Sequence, residues 1–129
     1  MNNELLKLLF PISLFLVGVI HLIPSRILIQ IDYIENLYGI KTNDLSIKLI
    51  VLHRAFFFLF IGVFSILSSF LPKFYDVAFY ISIVSMSSFI ILHFLIPHKN
   101  PKFDPIFKID LFLVIILTLS YILNKYLEV

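Results

Sequence analysis

The chain contains no cysteine. That excludes disulfides, thiolate nucleophiles, cysteine-ligated zinc and iron–sulfur clusters. It contains no tryptophan, so any aromatic belt at a membrane–water boundary falls to its six tyrosines. Glycine is scarce, and the three present form no phosphate-cradling pattern. Charge is scarce too: 14% of residues are Asp, Glu, Lys or Arg, against about 25% in an average soluble domain. The balance of +2 is too even to point to an acidic partner. What fills the space is apolar, at 60% of 129 residues. Small domains keep a large share of their surface exposed, so a water-soluble fold of this length could not hide that much hydrocarbon. A soluble globular domain, a disordered tail and a nucleic-acid-binding module are excluded, and an integral membrane protein remains, with the lipid bilayer as its partner.

Four apolar stretches, at about residues 5–23, 49–71, 74–96 and 106–127, each match the roughly 20 residues that a helix needs to cross about 30 Å of hydrocarbon. They leave no room for a soluble domain, so residues 1–129 form a single transmembrane domain with no internal repeat or low-complexity tract. Pro24 is expected to end the first span, Leu71-Pro72 to separate the second from the third, and Pro97 to end the third. Asp104-Pro105 reads as an N-cap and first-turn proline opening the fourth, and Pro11 predicts a kink within the first. The N-terminal region of the first span carries a single basic residue, Lys7, and Ile20-His21-Leu22-Ile23-Pro24 is no small-residue cleavage site. The span reads as a retained helix and not a signal peptide.

Residues 25–38 are no ordinary loop. Ile27, Leu28, Ile31, Ile34, Leu37 and Tyr38 recur at helical spacing, while Arg26, Gln30, Asp32, Glu35 and Asn36 fill the other side. With Ser25 as cap and Gly39 as terminator, this predicts a short amphipathic helix in the interface plane. Basic residues are lopsided. The first and third loops with their flanks hold Arg26, Lys41, Lys48, Arg54, Lys99, Lys102 and Lys108, against Lys7, Lys73 and Lys125 on the other side. The positive-inside rule therefore places both long loops in the cytoplasm and both termini outside. The expected fold is an all-α four-helix transmembrane bundle, N-out and C-out, in a bacterial inner membrane.

Ionisable residues inside a membrane are costly unless paired or hydrated, which makes them the place to look for function. Here they gather at one end. Helical phase puts Arg54 on a stripe with Phe58, Gly62, Ser65 and Ser69, a small-residue face of the kind that meets other helices. His53 is rotated by about 100° onto a lipid-facing flank with Phe57, Phe60 and Phe64. His21 continues the stripe Pro11, Leu14, Gly18, while His93 continues Ala78, Ser82, Met86, Phe89. Asp110 opens the stripe Val114, Leu117, Tyr121, Asn124. Each span thus offers one polar group at one depth: His21, Arg54, His93 and Asp110.

Three readings follow. The first is a polar-capped pocket at the cytoplasmic leaflet, lined by His21, Arg54, His93, Asp110, Phe58 and Phe89 and lidded by the amphipathic helix, that takes a lipid-like or small apolar ligand. The second is a membrane enzyme of isomerase or transferase type with His21 or His93 as acid–base and Arg54 as electrophilic support. The third is a structural or assembly subunit, as a homo-oligomer or within a membrane complex, with an Arg54–Asp110 ion pair joining two helices and serine and glycine stripes packing on a neighbour. His21, His93 and Asp110 could make a two-histidine, one-carboxylate set, yet no H-x-x-x-H or E-x-x-H pairing is present; no metal and no cofactor is expected. His98, beside Lys99 and Lys102, reads as a solvated or headgroup-facing loop residue, and the serines of the third span read as packing glue.

The motifs Gly18-x-x-His21-Leu22-x-Pro24, Leu37-Tyr38-Gly39 and Leu52-His53-Arg54-Ala55 with Gly62 resemble those of short bacterial four-helix membrane proteins of unknown function. Ser85-Met86-x-Ser88-Phe89, Asn100 and Asp110 extend the resemblance over most of the chain. More distantly the layout is similar to DoxX-like and EXPERA-type four-helix proteins, some of which bind or isomerise sterols. The resemblance implies the four-helix fold. Of the intramembrane acidic residues that EXPERA-type isomerases carry, this chain has only Asp110.

Overall fold

The computed structural model describes residues 2–128. In chain order the helices are α1 (Asn3–Lys7), α2 (Leu9–Ser25), α3 (Tyr33–Tyr38), α4 (Leu45–Ser69), α5 (Tyr75–Leu95) and α6 (Phe103–Glu128), with 3-10 turns at Arg26–Leu28 and Pro72–Phe74. Four stretches, Asn3–Leu28, Leu45–Ser69, Pro72–Leu95 and Phe103–Glu128, are long and apolar enough to cross a membrane. They run alternately up and down, and the side chains on their outer faces, such as Leu16, Phe56, Val84, Phe112 and Leu119, are hydrocarbon or aromatic.

Local chemistry explains where the helices begin and end. Pro11 has no N–H to give the Lys7 carbonyl, and the chain breaks at Leu8, between α1 and α2, as a kink from Pro11 would require. Pro24, in contrast, does not end the first span. The helix runs through it to Ser25 and on into a 3-10 turn. A proline in the last turn forfeits only the bond to the Ile20 carbonyl and already holds a helical φ. Ser25 caps nothing; its hydroxyl donates back to the Leu22 carbonyl at 2.6 Å. The second span starts at Leu45, earlier than its apolar run, because the Asp44 carboxylate caps it by accepting the Ser46 N–H at 2.8 Å. The fourth starts at Phe103, so Asp104-Pro105 sits in its first turn instead of capping it; the turn before is held by Asn100, whose Oδ1 accepts the Lys102 N–H at 3.0 Å.

The segment expected as one amphipathic helix over residues 25–38 is two short pieces, the 3-10 turn and α3, separated by a non-helical bend. Its sidedness is nonetheless as the pattern predicts. Ile27, Ile34 and Tyr38 are buried against Ala55 of α4, while Arg26, Gln30, Asp32, Glu35 and Asn36 are exposed. The break lets the chain turn and lay both pieces across the bundle end. Gly39 stops α3 with φ +65, a left-handed conformation that favours glycine.

Two apolar clusters hold the bundle. One joins Phe10, Leu14 and Val17 of α2 to Ala78, Phe79 and Met86 of α5 and Leu113 and Leu117 of α6. The other seats the segment after α2 on α4, with Phe103 and Ile106 packed alongside. Helices α2 and α4 approach closely at Gly18 and Gly62. A Cβ at Gly18 would lie 2.8 Å from the Gly62 carbonyl, and one at Gly62 would lie 2.9 Å from the Gly18 carbonyl. Backbone-to-backbone contact of this kind supplies dispersion where the solvent is lipid and no hydrophobic force joins helices. Between α4 and α5 the Ser65 and Ser82 hydroxyls, both buried, pair at 3.1 Å. At the far end Asp76 of α5 meets Lys125 of α6 at 2.8 Å and accepts the Tyr121 hydroxyl at 2.9 Å.

Candidate functional site

Antiparallel packing brings the C-terminal ends of α2 and α5 beside the N-terminal ends of α4 and α6, so one residue from each long helix can meet its neighbours at the same depth. A cavity of about 100 Å³ opens there. Its polar groups are His21, Tyr38, Arg54, Ser85 and Asp110, and Phe58 and Phe89 supply the aromatic wall. Ile20, Ile23, Pro24, Leu37, Ile106 and Ile109 complete the apolar lining. Of the six residues singled out from sequence, His21, Arg54, Asp110, Phe58 and Phe89 therefore line one space.

His93 does not. It lies one turn beyond Phe89 on α5, stacks on Phe107 of α6 at 4.6 Å between ring centroids, and hydrogen-bonds His98 at 3.0 Å. His98, expected as a solvated or headgroup-facing loop residue, is tied back to α5 by that bond. It is half-buried, packs on Phe103 at 5.2 Å, and its Nδ1 accepts the Asn100 N–H at 3.3 Å. The loop after α5 folds back on its own helix, and that path draws His93 away from the cavity. His53 is exposed beside Phe57, on the outward flank that its phase predicts.

His21 is fully used. Its Nδ1 faces the Val17 carbonyl at 2.9 Å and its Nε2 faces the Ser85 hydroxyl at 3.1 Å, with 3% of the residue exposed. A carbonyl can only accept, so Nδ1 carries the proton and, in the neutral ring, Nε2 accepts from Ser85. Both nitrogens are thus used, Nδ1 within α2 and Nε2 in holding α2 against α5. Of the two histidines considered as acid–base groups, His21 lines the cavity and His93 does not.

Arg54 is placed quite differently. Its guanidinium lies 5.0 Å from the Phe58 ring centroid and 5.9 Å from that of Phe89, within reach of both aromatic faces. The ion pairs among the described residues are Lys7–Glu4, Lys125–Asp76 and Lys125–Glu128, so the Arg54–Asp110 pair is not formed within 4.0 Å. Arg54 is exposed at the cavity mouth, and Asp110 is half-buried in its wall. A guanidinium and a carboxyl group line one small space without touching each other.

Tyr38 and Ser85 are the polar lining residues that sequence reasoning did not assign to the site. Tyr38 is buried where α3 ends, and burial raises its phenol above the ordinary range, an effect that the Arg54 charge opposes. Near neutral pH it is a hydroxyl donor. Its carbonyl accepts from the Asn100 amide at 2.6 Å, which ties the lid to the loop after α5. Ser85 lies one turn before Phe89 on the same face of α5, a spacing that could have marked it. Pro24 also reaches the cavity and gives no N–H to the Ile20 carbonyl in the same wall. Among the described residues no three His, Asp or Glu side chains come together to hold a metal ion.

Comparison with protein-family models, with characterised proteins and with solved structures gives no match for this chain.

Proposed function

We propose that this protein is a small multi-pass membrane protein that binds a lipid-like ligand, with the polar head in the cavity between Arg54 and Asp110. The observation that carries this reading is the unpaired Arg54. A guanidinium within a membrane span is expensive unless it is paired or hydrated, and here it is held by aromatic faces at the mouth of a cavity with no carboxylate in contact. Such a group is suited to a phosphate, carboxylate or carbonyl oxygen of an incoming ligand. The cavity's volume of about 100 Å³ supports a headgroup and not a whole molecule, since sites for drug-sized ligands run to roughly 300–1,000 Å³.

In this reading the basic end of the bundle faces the cytoplasm and the head is drawn from the cytoplasmic leaflet of a bacterial inner membrane. Because the chain has no cysteine, a single thiol at Lys99→Cys reports the orientation; ready labelling by an impermeant reagent from outside the cell would reverse it.

The binding test is extraction and mass spectrometry of what co-purifies. Wild-type protein is expected to carry a lipid species that Arg54→Ala loses by about tenfold or more, the worth of one charge-assisted hydrogen bond. If Arg54→Ala retains the same species in the same amount, the pocket does not bind it.

A further inference from the structure

A second hollow of about 460 Å³ lies on the outside of the bundle between α4 and α5 and is open along one side. Phe57 and Ile61 of α4 form one bank, and Tyr80, Ile81, Val84 and Ser85 of α5 form the other. Its surface is almost wholly apolar. Ser85 belongs to both spaces. It lines the cavity that holds Arg54 and Asp110, and it also ends the outer groove. On α4 the adjacent residues Phe57 and Phe58 divide in the same way, the first lining the groove and the second the cavity. The seam between a charged inner site and an apolar outer one is thus one residue thick on each helix.

That continuity decides what kind of molecule fits both. The inner cavity offers a guanidinium donor, Arg54, and a carboxylate acceptor, Asp110, that are not in contact with each other. A purely anionic head would satisfy the first and be repelled by the second, while a cationic head would do the reverse. A zwitterion answers both, and a primary ammonium can donate to a carboxylate where a quaternary one has no N–H. The small volume works in the same direction, against three added methyl groups. The groove then receives hydrocarbon that the cavity cannot hold. From Tyr80 to Ser85 it follows α5 for about 7 Å at about 1.5 Å per residue, enough to guide the first part of one acyl chain toward the bilayer.

Resting on the binding function proposed above, we propose that the ligand is a zwitterionic lipid bearing a phosphate and a primary ammonium, its phosphate on Arg54, its ammonium on Asp110, and one acyl chain leaving past Ser85 into the α4–α5 groove. The lipid enters sideways from the membrane between these two helices, and the His21–Ser85 hydrogen bond of 3.1 Å is a fixed post beside which the chain turns.

The test is native mass spectrometry of the full chain in detergent with equimolar phosphatidylethanolamine, phosphatidylcholine and phosphatidylglycerol of identical acyl composition. Ethanolamine lipid adducts are expected to exceed each of the others by about tenfold, the worth of one charge-assisted hydrogen bond. Asp110→Asn should remove that preference. Val84→Trp fills the groove from an outward position that is 67% exposed, and should lower retention of every lipid, whereas Leu119→Trp, similarly outward on α6, should not. Melting temperatures equal to wild type establish that the tryptophan variants are folded. Equal binding of choline or glycerol lipid to the wild type overturns the head assignment without recourse to any variant. Undiminished retention in Val84→Trp overturns the tail route. Undiminished retention in Arg54→Ala overturns the pocket itself, and so separates failure of the binding function from failure of this ligand.

Discussion

At the scale of single residues, the site is a matter of which polar groups find partners inside the bundle. His21 spends both ring nitrogens on its neighbours, at 2.9 Å and 3.1 Å, and acts as a fastener. Arg54 and Asp110 form no ion pair with each other or with another described residue. The glycines carry a comparably sharp constraint. A Cβ at Gly62 would come within 2.7 Å of Leu22 Cδ2 and 2.9 Å of the Gly18 carbonyl, and the second of these is backbone that cannot step aside. Gly62→Ala is therefore expected to destabilise the protein by about 1–3 kcal/mol, the usual cost of overpacking, read as a lowered melting temperature in detergent. An unchanged melting temperature would show that α2 and α4 can separate freely at this point. Helical phase made most of these residues legible in the sequence. Arg54, Phe58 and Gly62 recur every four residues, and that periodicity groups them on one face; Ser85, four residues before Phe89, reads from sequence only as packing glue. His93 obeyed the same rule and still left the site, because a stacking partner (Phe107) and a hydrogen-bond partner (His98) come from sequence positions whose loop path no periodicity describes.

Among the elements, the segment between the first two long helices shows where pattern reading stops. The division of residues 26–38 into a buried and an exposed side was legible, since Ile27, Ile34 and Tyr38 do pack on α4. The bend that splits it was not. Nothing in the local sequence forbids a continuous helix there, and the break serves a tertiary demand: both pieces must lie across the bundle end over Ala55 and Ile106. Helix starts were hidden for a similar reason. Asp44 caps α4 from within a polar stretch, and Asn100 organises the turn before α6. Asn100 also carries the lid, with its amide donating to the Tyr38 carbonyl at 2.6 Å. Asn100→Ala is expected to weaken the lid by about 1 kcal/mol, one neutral hydrogen bond. Amide hydrogen exchange should then quicken over residues 26–42 by roughly fivefold while the centres of α2 and α5 stay protected. Faster exchange throughout the bundle would mean that the bond stabilises the whole fold and not the lid.

For the molecule as a whole, the composition and the arrangement say the same thing at different resolution. Scarce charge places four helices in a bilayer, and antiparallel packing then collects much of the polar minority at one end. The opposite end is closed by the Asp76–Lys125 pair and by Tyr121 stacked on Phe79 at 3.8 Å, so the bundle is fastened there and open at the cavity. The most direct measurement is nuclear magnetic resonance of the protein in perdeuterated detergent with the co-purified lipid left protonated. Magnetisation transfer from lipid protons to the ring protons of Phe58 and Phe89 is expected in the wild type and should vanish in Arg54→Ala. Transfer confined to outward rings such as Phe56 and Phe112, and unaffected by Arg54→Ala, would mean that lipid meets only the surface of the bundle and that the cavity is not a binding site.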